Sequence, residues 1–171
     1  MSNNLIADLE EFTREMAKHD ERQAVVAKPA VVSVDVRELR VSLIEEEILE
    51  TIEAIYTPTS LHTESEQASM LADIADGIAD SIVVLIGTAL AYGIPLQKVW
   101  DEVHRSNMDK VTKLCFNCHG GKLLDGSVYC QFCNNTGRVP ITPRKREDGK
   151  ILKPEGWVGP DIKSIIEEAM K

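Results

Sequence analysis

Lysine and arginine are missing from one long stretch of the sequence. Neither residue occurs between Arg40 and Lys98, although the same interval contains ten aspartates and glutamates. Exposed helix surfaces usually interleave charges of both signs at i,i+4 spacing, so this stretch cannot neutralise its own acids in that way. The counter-charge must come from elsewhere in the fold, from a partner chain or from metal ions.

Long apolar runs and an excess of basic charge are missing as well. The most apolar segment, SIVVLIGTALAYGI, has 14 residues, whereas a membrane-spanning helix needs about 20. The formal net charge of −9 argues against general nucleic-acid binding and against anionic membranes. The acidic N-terminal segment does not resemble a secretory signal. We therefore expect a cytoplasmic protein with a buried apolar helix and with no membrane or general nucleic-acid partner.

Cysteine is scarce, and its four copies are confined to one segment. In CFNCHGGKLLDGSVYCQFC, two CxxC pairs are separated by eleven residues. Each pair can place two thiolates on one tetrahedral ion, and the intervening loop can return as a hairpin that turns at Asp125-Gly126. Two reactive dithiols are the weaker alternative, and His119 could replace one ligand. The pattern predicts a zinc ribbon whose structural Zn²⁺ is held by Cys115, Cys118, Cys130 and Cys133.

The spacing of apolar residues predicts an all-α protein outside the cysteine segment. Ser33 or Asp35 can cap the second predicted helix, and Gly93 with Pro95 should end the third. Residues 24–34 are expected to form an extended arm. The predicted helices span about residues 4–19, 36–56, 64–92, 95–111 and 161–171.

Acidic residues fall on single faces of the second and third predicted helices. At 100° per residue, one face carries Glu46, Glu50 and Glu53, with Glu47 at its edge. The next helix carries a stripe of Asp73, Asp76 and Asp80. Carboxylates that face each other raise each other's pKa unless a cation intervenes, and Mg²⁺ prefers such oxygen ligands. The pattern favours a metal cluster over two solvated acidic faces.

Two segments resemble a known family. LRVSLIEEEILETIEA and DIADGIADSIVVLIGTALAYGIPLQKVWDEVHRSNMDK are similar to the MazG-like nucleotide pyrophosphohydrolases. Their all-α superfamily includes phosphoribosyl-ATP pyrophosphohydrolase and dimeric dUTPase. The resemblance covers roughly residues 5–112. Within it, the EExxE motif is matched by Glu46, Glu47 and Glu50.

The second family motif, ExxD, is irregular in this sequence. Asp80 stands at the aspartate position, but the position three residues earlier is Gly77, preceded by Asp76. Asp73 and Asp76 have the motif spacing, with aspartate in place of glutamate. We expect Asp76 and Asp80 to serve as ligands, with Asp73 third.

The resemblance implies a MazG-like bundle of about four helices that hydrolyses a nucleoside triphosphate to the monophosphate and pyrophosphate. Catalytic Mg²⁺ would be held by Glu46, Glu47, Glu50, Asp76 and Asp80. The SNMDK segment implies substrate contacts from Arg105, Asn107 and Lys110, with phosphate binding by the two basic residues. The family also implies a homodimer or homotetramer with sites near subunit contacts.

The resulting domain prediction has three parts. Residues 1–112 form the pyrophosphohydrolase domain, 113–140 the zinc ribbon, and 141–171 a linker with a terminal helix. One alternative is a non-catalytic oligomeric adaptor that docks a protein partner through the ribbon. Another is hydrolysis of phosphoribosyl-ATP.

Overall fold

The computed structural model describes residues 5–57, 63–120 and 129–171. Their contacts form two compact units, one comprising the described residues up to Gln97 with Ser164–Lys171, the other Lys98–Lys163. The predicted all-α class is confirmed, and the predicted domain boundaries stay a prediction. The helices are α1 Leu5–Met16, α2 Val34–Tyr56, α3 Glu64–Ala91, α4 Leu96–Met108 and α5 Ile162–Met170, with a 3-10 turn at Glu21–Gln23. Two short strands are β1 Thr112–Leu114 and β2 Arg138–Pro140.

Side-chain caps fix where the two longest helices begin. The Ser33 hydroxyl accepts a hydrogen bond from the Val36 backbone N–H at the start of α2. At α3, Thr63 and Glu66 form a reciprocal capping box, with the Glu66 carboxylate accepting from the Thr63 N–H at 2.9 Å. Each cap satisfies backbone donors that a helix leaves unpaired at its N-terminus. The Ser33 alternative of the sequence prediction is therefore confirmed.

The core of the first unit forms where α1 and α2 pack on α3. Its buried apolar residues come mainly from the second half of α3 and are Leu9, Val84, Ile86, Ala89 and Ala91. The extended arm runs beside the end of α3, where Val26 donates its N–H to the Leu90 carbonyl at 3.0 Å. Gly93 follows with φ +64, and a Cβ there would collide with the Lys28 carbonyl. Glycine is thus required where the extended arm passes the end of α3.

Helix α3 is long and apolar enough to cross a membrane by length and composition alone. Core helices of soluble proteins meet the same criterion. The apolar run from Ser81 onward carries most of the buried positions of this helix.

The second unit is built around the end of α4 and the four cysteines. Strands β1 and β2 pair antiparallel, with Thr112 opposite Pro140 and Leu114 opposite Arg138. The cysteines form its buried cluster, against which Val139 packs. We call residues 112–120 and 129–140 the cysteine module. The predicted hairpin turn at Asp125-Gly126 lies outside the described residues.

Candidate active site

Helices α2 and α3 are in close contact beside the acidic residues. The Thr51 and Ser81 hydroxyls lie 2.9 Å apart, and Ser81 also donates to the Glu47 carbonyl at 3.3 Å. Gly77 of α3 is buried at this contact, and a Cβ on it would lie 3.0 Å from the Thr51 Cα of α2. This polar, glycine-lined contact fixes the spacing of the two acidic faces. Sequence reasoning missed Thr51 and Ser81, although both stand within one turn of a predicted acid.

The acids of α2 and α3 act on one another electrostatically. The pKa of Glu47 is raised, first because partial burial disfavours its charged form. Asp80 is the next cause, followed by Glu50, Glu46 and Asp76. The structure therefore brings one glutamate of α2 near two aspartates of α3. Which of these groups bind a metal stays a prediction, and Asp73 remains the third candidate on α3.

The close helix contact leaves no room for a side chain at Gly77. Gly77 stands three residues before Asp80, where one of the two possible motif alignments places the glutamate. A longer side chain there would run into the Thr51 backbone and hydroxyl. The neighbouring Asp76 instead contributes to the charge around Glu47. A side chain at position 77 is therefore incompatible with the observed contact between α2 and α3.

No basic side chain of the described residues pairs with the five predicted acids. Arg40, the last arginine before the acidic stretch, is 4% exposed and donates to the Gln23 side-chain oxygen at 2.6 Å. Burial lowers the pKa of Arg40, whereas nearby Asp20 raises it. Its Nε has no hydrogen-bond partner in the described structure. The acids therefore keep the charge imbalance that the sequence predicted.

The predicted substrate residues lie together at the end of α4, within the second unit. Arg105 donates to both Glu102 carboxylate oxygens at 2.8 and 2.7 Å and to Asp109 at 2.7 Å. Lys110 donates to the Asn107 side-chain oxygen at 2.8 Å. All three predicted groups are at least partly accessible. They are thus juxtaposed, and their contact with substrate stays a prediction.

Carboxylates keep the Arg105 side chain charged and oriented. Hydrogen bonding from Arg105, helped by the Asp161 backbone N–H at 3.0 Å, lowers the pKa of Glu102 to about 2. The same pairing raises the pKa of Arg105. The polar tail also reaches this helix, because the Trp157 indole donates to the Ser106 carbonyl at 2.9 Å. The segment predicted as a linker therefore contacts α4.

The four cysteine sulfurs form a compact cluster. All lie within 4.8 Å of one another, and two of the pairs are Cys115 with Cys130 at 3.8 Å and Cys118 with Cys133 at 3.5 Å. Thiolates about 2.3 Å from a tetrahedral zinc would be separated by about 3.8 Å. The donor set and its spacing fit one closed site. All four side chains are at most 7% exposed.

Local backbone and hydrogen bonding support thiolates in this cluster. The Asn117 amide donates to the Cys130 sulfur at 3.4 Å, which is the main reason that the pKa of Cys130 is lowered to about 6. His119 and Asn134 follow the CxxC pairs with φ of 45 and 50. These left-handed turns reverse the chain directly after each pair of ligands. Metal binding is therefore chemically compatible with the cluster.

The family match fits the helical geometry. Residues 9–107 match the phosphoribosyl-ATP pyrophosphohydrolase family, which is more than half of the chain. This match indicates an all-α nucleotide pyrophosphohydrolase. The chain belongs to the phosphoribosyl-ATP pyrophosphohydrolase family. The match ends before Cys115, so the zinc-ribbon prediction depends on the cysteine cluster alone. No curated protein matches the chain.

Proposed function

We propose that this protein hydrolyses the bond between the α- and β-phosphates of a nucleoside triphosphate in a Mg²⁺-dependent reaction. The observation that carries the proposal is the approach of Asp76 and Asp80 to Glu47 without a basic partner among the described residues. Such a cluster is costly unless a cation neutralises it. The family match supports hydrolysis of a nucleotide pyrophosphate bond.

The acidic cluster fits the donor chemistry of Mg²⁺, which is bound by carboxylate oxygens and commonly shared with substrate phosphates. Bound there, the ion would lower the pKa of a water and neutralise the pyrophosphate leaving group. In the reaction, a water oxygen bonds to the α-phosphorus and the bond to the bridging oxygen breaks. The products are the monophosphate and pyrophosphate. The proposed ligands are Glu46, Glu47, Glu50, Asp76 and Asp80.

The substrate contacts in this proposal come from the end of α4. Arg105 and Lys110 bind phosphate oxygens, and Asn107 hydrogen-bonds a phosphate or the sugar. Three of the five N–H donors of Arg105 are used by Glu102 and Asp109. The remaining N–H groups can point to a phosphate.

We propose Zn²⁺ for the cysteine cluster. Four thiolates close a tetrahedral coordination sphere, so the ion would stabilise the module without taking part in hydrolysis. The lowered pKa of Cys130 favours the thiolate form that a metal requires.

Self-association is a further part of the proposal. Apolar side chains of α2 and α3 are exposed, including Ile52 at 42%, Ile55 at 51% and Leu71 at 65%. A second copy of the chain would cover such surface in the homodimer or homotetramer that the family resemblance implies. Light scattering of the purified protein would measure this directly.

Phosphoribosyl-ATP is the second candidate substrate, because the matched family is named for its hydrolysis. The same α–β phosphate bond would be broken. Both candidate substrates would therefore use the same carboxylates of the protein, and they differ in the nucleoside part attached to the α-phosphate.

The test is pyrophosphate release by the full zinc-loaded chain with Mg²⁺. The panel contains the ribo- and deoxyribonucleoside triphosphates, dUTP and phosphoribosyl-ATP. We expect Glu50→Gln and Asp80→Asn each to lower kcat by about 10²–10³-fold, as for loss of other strong electrostatic catalytic groups. Glu53→Gln is the matched control, since Glu53 lies on the same helix outside the proposed ligand set.

Equal activity of Glu50→Gln and Glu53→Gln would refute the assigned site. If the folded wild-type protein releases no pyrophosphate from any nucleotide of the panel, the adaptor interpretation would be favoured. A preference for one nucleotide would identify the substrate.

A further inference from the structure

We propose that Arg138 of the cysteine module positions the Arg105 guanidinium for the substrate's phosphates, acting through Asp109. This inference rests on the proposed function, in which Arg105 contacts the substrate. It gives the cysteine module a part in substrate binding without placing the module's metal in the reaction.

Arg105 is held from two sides at the end of α4. Glu102 accepts from Nε and from one Nη of Arg105, a bidentate arrangement that fixes the plane of the guanidinium. Asp109 accepts from the other Nη at 2.7 Å. The Arg105 side chain still has 43% of its surface exposed. It is therefore oriented and accessible at the same time.

Asp109 is a carboxylate shared between two arginines. One of its oxygens accepts from Arg105, and the other accepts from Arg138. The Arg138 side chain is 24% exposed and that of Asp109 is 29% exposed, so their pair is better shielded than most surface ion pairs. Arg138 also donates to the Thr112 hydroxyl at 2.6 Å. These contacts hold Arg138 against the segment that follows α4.

The cysteine module determines where Arg138 lies. Arg138 opens β2, five residues after Cys133, and pairs with Leu114, the residue before Cys115. The Cys115 N–H donates to the Gly137 carbonyl at 2.9 Å. Gly137 has φ +72 and a Cβ on it would lie 2.9 Å from the Gly120 carbonyl carbon. The two cysteine turns thus pack backbone to backbone directly beside Arg138.

Arg105 and Arg138 also line one cavity of about 580 Å³ in the second unit. Met108 of α4 and Phe132 of the cysteine module contribute apolar wall to it. A phosphate-bearing ligand that reaches Arg105 from this cavity would meet a side chain whose direction the module has already set.

The charge balance explains why Arg138 matters to Arg105. With Arg138 present, the charge of Asp109 is divided between two guanidiniums. Without Arg138, Asp109 is free to turn wholly to Arg105 and to neutralise it more completely. Asp109 directly follows the C-terminus of α4, where the helix dipole disfavours a negative charge. Loss of Arg138 therefore also removes the positive charge that compensates Asp109. Both effects leave more negative charge beside Arg105 and weaken its binding of phosphate.

The experiment measures binding of inorganic pyrophosphate without Mg²⁺, together with nucleotide turnover, in the full zinc-loaded chain. The variants are Arg138→Met, Arg105→Met and the double variant. We expect Arg138→Met to raise the Kd for pyrophosphate and the KM for nucleotide about tenfold, with kcat changed less than twofold. The double variant should be no weaker than Arg105→Met alone, because Arg138 acts through Arg105.

The matched control is Arg146→Met, which removes the same charge from an exposed Arg146–Asp148 pair in the same unit. It should leave both constants unchanged. Arg138→Lys should restore part of the binding, and zinc content should stay equal in all variants. Unchanged pyrophosphate binding in Arg138→Met, or additive losses in the double variant, would overturn the positioning role. Pyrophosphate binding that follows the expected pattern without any nucleotide turnover would instead overturn the proposed function and leave the positioning intact.

Discussion

The two proposed metal sites, the carboxylates of α2 and α3 and the four cysteines, lie in opposite surroundings. The acids lie on helices that are fixed by other contacts, namely Gly77 against Thr51 and the Thr51–Ser81 hydroxyl pair. The cysteines are themselves the buried core of their module. Packing contacts therefore fix the acidic region, whereas the buried side chains of the described cysteine module are mainly the four proposed zinc ligands.

The difference has a thermodynamic consequence. A metal bound to preformed helices adds its binding free energy to a fold that already exists. A metal bound to a small module with no other core provides much of the folding free energy itself. The two regions should therefore respond to metal removal in opposite ways, and the following experiments test that contrast.

The largest expected effect is loss of the cysteine module on zinc removal or in Cys118→Ser. Structural zinc sites in small domains contribute roughly 10–16 kcal/mol, more than the module can replace by packing. Amide hydrogen exchange of β1 and β2 should lose its protection, while far-UV circular dichroism retains most of the helical signal. Mg²⁺ removal is the control and should leave β1 and β2 protected. Protection that survives zinc removal would show that the module folds without its ligand.

A smaller effect is expected from Gly77→Ala. The added Cβ would lie 2.9 Å from the Thr51 hydroxyl and 3.0 Å from its Cα, and such overpacking costs about 1–3 kcal/mol. Chemical denaturation followed by the helical signal measures the loss. Gly87→Ala is the comparison, because the Cβ there meets only the end of the Arg40 side chain at 3.2 Å. Equal stability of the two variants would contradict a tight helix contact at Gly77.

Glu47→Gln should stabilise the Mg²⁺-free protein. Its carboxylate is desolvated and repelled by Asp80 and other acids, and removal of like-charge repulsion on helices contributes about 0.2–0.5 kcal/mol. Thermal unfolding with and without Mg²⁺ checks this, with Glu53→Gln as the control. Added Mg²⁺ should raise the Tm of the wild type more than that of Glu47→Gln. An identical Mg²⁺-induced change in Tm for both proteins would show that Glu47 does not bind the metal.

The smallest effect concerns pH and the end of α4. The folded pKa of Glu102 is about 2, below the ordinary value of 4.5 for this side chain. A lowered carboxyl pKa means that its stabilising contribution is complete above about 4.5 and is lost as pH falls toward about 2. A ¹³C titration of the Glu102 carboxyl should show this low midpoint, and Arg105→Met should shift it upward. A wild-type midpoint near 4.5 would show that the Arg105 pair does not form in solution.

Helix positions were largely predictable, because apolar spacing and caps act locally. Ser33 and the Gly93 stop were identified from residue type and order, and α2, α3, α4 and α5 lie within a few residues of their predicted ranges. The network through Asp109 and Arg138 was not predictable, since the two residues are 29 positions apart. No local pattern distinguishes Arg138 from the other basic residues of the C-terminal region.

The sequence by itself determined the helices, the excess of acid from Glu45 to Asp80 and the four-cysteine set, because each depends on residue types at short spacing. The tertiary structure decided that Asp76 and Asp80 approach Glu47, that Gly77 must lack a side chain and that Arg138 reaches Asp109. Those facts depend on which faces meet and at what distance. Contacts between distant segments set such distances, and the energy of each contact depends on the groups around it.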